Sequence, residues 1–141
     1  MELMIAVTLI GILVAMAIPM FQKVKQNSQA TAFKNDLRAA AGALDTYAME
    51  KGSYPPDGGG SWPTVMLDYL PPPDRWTQAT PIGGQWVWAR ASEGVSASIQ
   101  IRNYIIQAGQ IQAIDKALDD GSPTTGLFLS SGTTAIYVID P

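Results

Sequence analysis

The chain has 141 residues, which suits one small domain with an extension, and its formal net charge of −3 is small. Charge of this size and spread argues against nucleic acid as a dedicated ligand. The sequence contains neither Cys nor His, which excludes disulfides, haem attachment through Cys and nearly all zinc and His-based catalytic sites. We therefore expect a protein that is not an enzyme and that carries no haem, cofactor or covalently held metal.

An uncharged run from Leu3 to Gln22 follows Glu2 directly. As a helix, this run is long enough to cross about 30 Å of hydrocarbon. A carboxylate beside it is costly in lipid, about 2.5–3.5 kcal/mol at a bilayer centre, and the next cationic residue is Lys23. Glu2 therefore calls for a partner outside its own helix, which a simple membrane anchor would not need.

The stretch from Glu2 to Pro19, ELMIAVTLIGILVAMAIP, resembles the N-terminal helix of type IV pilins and of the pseudopilins of type II secretion. In that family a Glu precedes the apolar run, and Gly and Pro interrupt it at the spacings of Gly11 and Pro19. The rest of the chain resembles the family only in layout. The resemblance implies that Glu2, Gly11 and Pro19 act in the assembly of a filament.

Two features concern the N-terminus. Family members have a few residues before this Glu and a short basic leader, whereas only Met1 precedes Glu2 here, so we expect the leader and the first mature residues to be missing from this sequence. A cleaved signal peptide is disfavoured, because the run is longer than a typical apolar region, follows an acid and continues into a second helical pattern.

Pro19 lies inside the predicted helix and weakens the turn around Ala15 by ~3 kcal/mol. Two interpretations stay open. A transmembrane helix tolerates such a residue as a kink without a role. Alternatively, the segment between Gly11 and Pro19 unwinds when subunits leave the lipid and pack in a filament, as the resemblance implies.

The second helical pattern runs from Lys23 to about Lys51, and Gly52 is a natural C-cap. Its apolar positions are Phe33, Leu37, Ala40, Ala41, Leu44, Tyr47 and Ala48, and its polar positions are Lys34, Asn35, Asp36, Arg38, Asp45 and Glu50. The basic residues Lys23, Lys25, Lys34 and Arg38 indicate a solvated face next to lipid headgroups or neighbouring subunits, rather than a DNA-binding strip. We predict a membrane-spanning and polymerisation helix at 1–25 and a globular head at 26–141.

A Pro- and Gly-rich segment at 52–84 is predicted to be an irregular loop. The residues expected to pin it are Trp62, Leu67, Tyr69, Leu70 and Trp76. Alternation of apolar and polar residues predicts a hairpin over 85–102 with one buried face and a turn at Ser92–Gly94, and a last hairpin around 131–133. A short helix is expected between them, from Ala108 to just before Gly121. The predicted fold class is α+β, a long helix packed on a small antiparallel sheet.

Two side-chain groups are weighed as sites. Asp115, Asp119 and Asp120 are interpreted as a solvated helix end, with calcium at Asp119 and Asp120 as the alternative, because major pseudopilins often bind calcium in a C-terminal loop. Trp86 and Trp88 are expected on one side of a strand, where packing is favoured over a sugar-binding platform.

The predicted function is that of a structural subunit of a type IV pilus-like filament on the cell surface. The subunit is expected in the inner membrane before assembly, and then in a homo-oligomeric helical filament. The resemblance implies a prepilin peptidase and pilus or secretion assembly machinery as partners. A major pseudopilin of type II secretion is the close alternative. A DNA-uptake or adhesion pilin and a membrane-anchored enzyme are the others, although nothing in the sequence firmly implies nucleic acid.

Overall fold

The computed structural model describes residues 2–70, 72–92 and 94–141, with the side chain of Glu2 outside the described part. The elements in chain order are α1 (Glu2–Lys51), a 3-10 turn (Thr64–Met66), α2 (Asp74–Thr77), β1 (Gln85–Ser92), β2 (Val95–Arg102), α3 (Ala108–Leu118), β3 (Phe128–Ser131) and β4 (Thr134–Asp140). A long N-terminal helix followed by a four-stranded antiparallel sheet confirms the predicted α+β fold class. The turn predicted at Ser92–Gly94 includes Glu93, which lies outside the described residues.

The second half of α1 packs its apolar face against the sheet. Phe33, Leu37, Ala40 and Leu44 recur at helical spacing, and all four are 0 % exposed. The ring of Phe33 stacks on Trp86 of β1, with centroids 5.5 Å apart, and meets Phe128 of β3 edge-on at 6.4 Å. This helical face and the facing side of the sheet enclose the core.

Asp36 lies in this buried region, although the helical pattern of the sequence places it on the polar face of α1 and so predicts that it is exposed. Its side chain is paired with Arg75 of α2, whose Nη2 lies 2.5 Å from Oδ1 and whose Nε donates to Oδ2 at 3.1 Å. Burial raises the pKa of Asp36, and the Arg75 charge counteracts this in part. The prediction of a solvated Asp36 was wrong because the segment after α1 folds back over this flank, which helical periodicity does not reveal.

The sheet has the strand order β1-β2-β4-β3, and all neighbouring strands are antiparallel. One row of paired residues crosses it from Trp88 through Ile99 and Tyr137 to Phe128. β2 and β4 pair although α3 and β3 lie between them in the sequence. The two predicted hairpins thus join into one sheet.

The β1–β2 hairpin is buried on both faces at its centre, contrary to the single buried face predicted from alternation. Ser98 and Gln100 are 0 % and 2 % exposed, and Val87, which is paired with Gln100, is also buried. The segment after α1 runs along the edge of β1, where the Trp88 amide donates to the Ser61 carbonyl at 3.2 Å. Alternation therefore placed the strands correctly but predicted too much exposure.

The connecting segment at 52–84 contains ordered structure, whereas an irregular loop was predicted. It includes the 3-10 turn and α2, and it adds Met66, which is fully buried, to the expected pins. Trp62 stacks on Trp76 at 5.3 Å, and Trp76 contacts Trp86 at the same centroid distance. These indoles are nearly fully buried, so aromatic packing supplies the order that the Pro and Gly residues alone would not predict.

Packing rather than an open platform was favoured for Trp86 and Trp88, and this is confirmed. Trp86 and Trp88 are 3 % and 0 % exposed. The indole Nε1 of Trp88 donates to the Pro55 carbonyl at 3.1 Å, and its ring lies 5.9 Å from that of Tyr54. Both rings are therefore part of the core and offer no free face to a sugar.

Candidate functional site

The first half of α1 is exposed on every side. All residues from Leu3 to Ser28 are solvent-exposed, and α1 is the one helix among the described residues that is long and apolar enough to cross a membrane. A helix that is apolar all round is stable only where lipid or other apolar surface covers it. This segment is therefore the largest candidate functional surface of the molecule.

Thr8 is the polar exception between Leu3 and Phe21. Its hydroxyl lies 3.0 Å from the Met4 carbonyl oxygen and 2.8 Å from the Ile5 carbonyl oxygen, both on the preceding turn. Because the hydroxyl is satisfied within the helix, Thr8 adds little cost in an apolar environment.

The three predicted assembly residues lie on this segment. The backbone of Glu2 begins α1, while its side chain lies outside the described residues. A side chain added at Gly11 would meet no atom of the described residues within 4 Å, so no contact within this part of the chain requires a glycine there. Pro19 lies inside an unbroken helix. The unwinding expected in a filament concerns an assembled state and stays a prediction.

A second candidate site lies after α3, where two carboxylates organise the loop to β3. Asp119 accepts hydrogen bonds from the backbone amides of Leu127 and Phe128. Asp120 accepts from the Ser122 amide at 2.8 Å and from the Thr125 hydroxyl at 2.6 Å, and these bonds lower its pKa. The loop is thus folded around acidic side chains.

Asp115 completes this group, and it is 1 % exposed rather than solvated as predicted. It follows Ile111 by four residues and Ile114 by one, so it shares the face that α3 buries. Neither of its carboxylate oxygens accepts a hydrogen bond of good geometry from the described residues, although the Gly121 amide lies close enough to act on the carboxylate. Burial raises the pKa of Asp115, the Gly121 amide opposes this, and the charges of Asp120 and Asp119 add to the increase.

The three carboxylates fit part of a cation site. One oxygen of each carboxylate lies within 4.8 Å of the other two, and Ca²⁺ takes about six to eight oxygen ligands on irregular segments of this kind. An added Cβ at Gly126 would overlap the carboxylate of Asp119, and Gly126 has a φ of 86°, so the loop requires glycine there. The buried, unpartnered carboxylate of Asp115 is the feature that a solvated acidic helix end would not have.

Comparison with known proteins agrees with the N-terminal motif, although no protein-family model matches the chain. The chain is 35 % identical over 54 residues to the type II secretion system core protein G of Pseudomonas aeruginosa, and this region is 38 % of each protein. The chain therefore matches well under half of the length of that curated relative.

Among solved structures, the major type IV pilin PilA1 from Clostridium difficile matches with a TM-score of 0.63. The match covers 84 % of this chain and 98 % of that chain, at 12 % sequence identity. The fold is therefore the pilin fold. The resemblance to type IV pilins and pseudopilins that the N-terminal motif predicts is confirmed.

Proposed function

We propose that this pilin-like chain is the structural subunit of a helical filament. The exposed apolar half of α1 holds the subunit in the inner membrane and then packs with the same segment of other subunits. The observation that carries the proposal is that every residue from Leu3 to Phe21 is exposed on the long helix of a pilin fold. A soluble monomer would leave this surface in water, which costs roughly 25 cal/mol for each Å² of apolar area.

The proposal assigns Glu2 to the register of the filament. In a bundle of identical apolar helices, a lone carboxylate is costly to desolvate. The sequence offers no cation between Glu2 and Lys23, so the amino terminus of a neighbouring subunit or of the same chain is the cation at that depth. Pairing of these two groups would fix the axial position of each incoming subunit.

Two filament types agree with the comparisons. The matched solved structure is that of a major type IV pilin, and the matched curated sequence is a core protein of type II secretion. We favour a filament on the cell surface, assembled by pilus machinery after prepilin peptidase processing. A pseudopilus of a secretion system is the second candidate, and it uses the same helix packing.

We also propose that Asp115, Asp119 and Asp120 hold a divalent cation, with calcium as the favoured ion. The support is the buried carboxylate of Asp115, which accepts no hydrogen bond of good geometry from the described residues and lies beside two further carboxylates. A bound Ca²⁺ would neutralise these charges and tie the end of α3 to the loop before β3. The remaining ligands would be backbone carbonyls and water. Its role would be to stabilise the head, since the chain offers no disulfide.

The experiment that tests the filament is electron microscopy of material sheared from cells that express the wild type or a Glu2 variant. We expect the wild type to give long, uniform fibres, and Glu2→Ala to reduce the fibre yield by a factor of ten or more because the register contact is lost; ten-fold corresponds to about 1.4 kcal/mol. Glu2→Asp keeps the charge and should retain part of the yield. Fractionation should show both variants in the membrane.

The outcomes separate two claims. Absence of fibres from the wild type, under conditions in which the chain is present in the membrane, would contradict the filament proposal. A normal fibre yield from Glu2→Ala would contradict only the register role of Glu2.

A further inference from the structure

Two loops form the end of the head that lies nearest the apolar half of α1. We call residues 80–84 and 103–107 the base. The Ile105 amide donates to the Ile82 carbonyl at 3.1 Å, and the Tyr104 hydroxyl donates to the Gly132 carbonyl at 2.8 Å. An added Cβ at Gly83 would overlap the side chain of Ile105, so the two loops pack closely. The base is thus an ordered surface.

The base lies beside the first turns of α1 that follow the apolar run. A groove of about 300 Å³ separates it from the helix and is lined on the helix side by Gln22, Lys25, Gln26 and Gln29. With 1.5 Å rise per residue, Gln22 and Lys25 lie within about 6 Å of Phe21 along the helix axis, and Gln29 lies about 12 Å from it. The headgroup layer of a bilayer is about 5–7 Å thick on each side. If Leu3–Phe21 fills the hydrocarbon, the part of the base beside Gln22 and Lys25 is at the level of the headgroups.

Ile105 is the most exposed apolar residue of the base, at 83 %. A single exposed apolar side chain is ordinary on a protein surface. Its position is what distinguishes it, since Lys23 and Lys25 lie at the same level of α1 and no acidic residue occurs between Glu2 and Asp36. Ile105 thus shares the groove with Lys25 and three glutamines of α1, next to the apolar run. An anionic membrane surface attracts an exposed apolar side chain that is accompanied by cations in this way.

We propose that the base lies in the headgroup layer before assembly, with Ile105 inserted at the boundary to the acyl chains and Lys23 and Lys25 next to lipid phosphates. This inference rests on the membrane-inserted state of the proposed function. It assigns the head a second contact with the membrane besides α1, and two contacts hold the head in one orientation relative to the bilayer. A subunit held in this way presents the same face to a growing filament each time.

The experiment measures the depth of single labelled positions in the full chain. The sequence has no Cys, so one introduced cysteine gives one label site. The variants are Ile105→Cys, Met49→Cys and Ile12→Cys, each carrying the same environment-sensitive fluorophore, in vesicles of phosphatidylcholine and phosphatidylglycerol. Met49 is the matched control, because it is an 85 % exposed apolar residue in the last turns of α1. Lipids with a nitroxide just below the headgroup serve as quenchers.

We expect the label at Ile105 to lose most of its fluorescence to these lipids and the label at Met49 to lose almost none. Lys23→Gln with Lys25→Gln should weaken quenching at Ile105, as should high salt. A label at Ile105 that behaves like the label at Met49, while the label at Ile12 is quenched by deep nitroxides, would overturn this inference alone. An unquenched label at Ile12 would contradict membrane insertion itself. Protection of Ile105 only after polymerisation would assign the surface to a second copy and overturn the lipid contact.

Discussion

The two halves of α1 share one backbone and have opposite surroundings. Leu13 in the first half is 67 % exposed, whereas Leu37 in the second half is 0 % exposed. Helical hydrogen bonding is local, so it continues from Glu2 to Lys51 regardless of what surrounds the helix. The arrangement of apolar residues differs, because they lie on all sides in the first half and on one face in the second. The same element therefore serves two partners: the sheet of its own chain and a surface outside it.

The polar side chains of the two halves also differ in where their partners lie. Thr8 satisfies its hydroxyl within its own helix and needs nothing from the head. Asp36 is buried and depends on Arg75, which lies 39 positions later in the chain. From Leu3 to Phe21 the first half thus satisfies its one polar side chain within the helix, whereas Glu2 needs a partner outside it. The second half is completed only by the folded head.

The largest difference between the halves should appear when the same residue type is truncated in each. Leu37→Ala leaves a cavity in the core, and we expect it to lower the free energy of unfolding of the head by about 2–5 kcal/mol. Leu13→Ala changes a side chain outside the core and should change this quantity by less than about 0.5 kcal/mol. Thermal or denaturant unfolding followed by tryptophan fluorescence measures both, since all four indoles lie in the head. Equal effects of the two substitutions would show that the division of α1 is wrong.

A smaller effect is expected in the head at Asp115. Without a divalent cation, Asp115→Asn should raise the free energy of unfolding at neutral pH by about 1–3 kcal/mol, because it removes a buried charge without a partner. With Ca²⁺ present, the wild type should gain stability and the variant should not. Calorimetry with Ca²⁺ and with a chelator measures both. A wild type that is equally stable in the two conditions would contradict the cation site.

The pH dependence of the free energy of unfolding provides an independent test of the buried carboxyl group of Asp115. Its pKa is raised above the ordinary value of 3.8 in the folded head. The folded state therefore holds the proton of the Asp115 carboxyl more tightly than the unfolded chain does. The protonated carboxyl contributes its full stabilisation of the fold at a pH below the ordinary pKa, and this contribution is lost as the pH rises through the raised pKa of the folded state. In the metal-free state, the stability difference between Asp115→Asn and the wild type should widen over this range as the pH increases.

The smallest expected effect concerns the ion pair that links α1 to α2. Arg75→Ala leaves the carboxylate of Asp36 buried without its partner, but the Arg75 side chain is half exposed, so we expect a loss of only about 1 kcal/mol. Arg38→Ala is the matched control, because Arg38 is exposed and makes no ion pair among the described residues. Chemical denaturation of both variants gives the comparison. A greater loss from Arg38→Ala would contradict the role of the pair.

The elements of the fold were largely predictable from local pattern. Apolar residues at helical spacing and Gly52 at the C-cap predict the end of α1, and the Gly52 amide does donate to the Ala48 carbonyl at 2.8 Å. Alternation in Val95–Arg102 and the turn residues around Gly132 predict the strands. These signals lie within a few residues of the element they predict. Each was sufficient to place its helix end or strand, because neighbouring residues decide the backbone conformation there.

Features that depend on distant residues were missed. The burial of Asp36 requires Arg75, and the order in the connecting segment requires the stack of Trp62, Trp76 and Trp86. Asp115 carried a signal that was available, since it lies four residues after Ile111 on the apolar face of α3. This signal is weak, because an acidic group near a helix end is usually solvated.

Removal of residues 1–25 tests the division of the molecule most directly. The truncated chain keeps Phe33, Leu37 and Leu44, which are fully buried in the head. Among the residues it loses, those from Leu3 to Lys25 are all exposed in the single chain. We predict a soluble, monomeric protein by light scattering that unfolds in one cooperative transition and forms no fibres. A truncated chain that aggregates, is unfolded or still forms fibres would contradict the account.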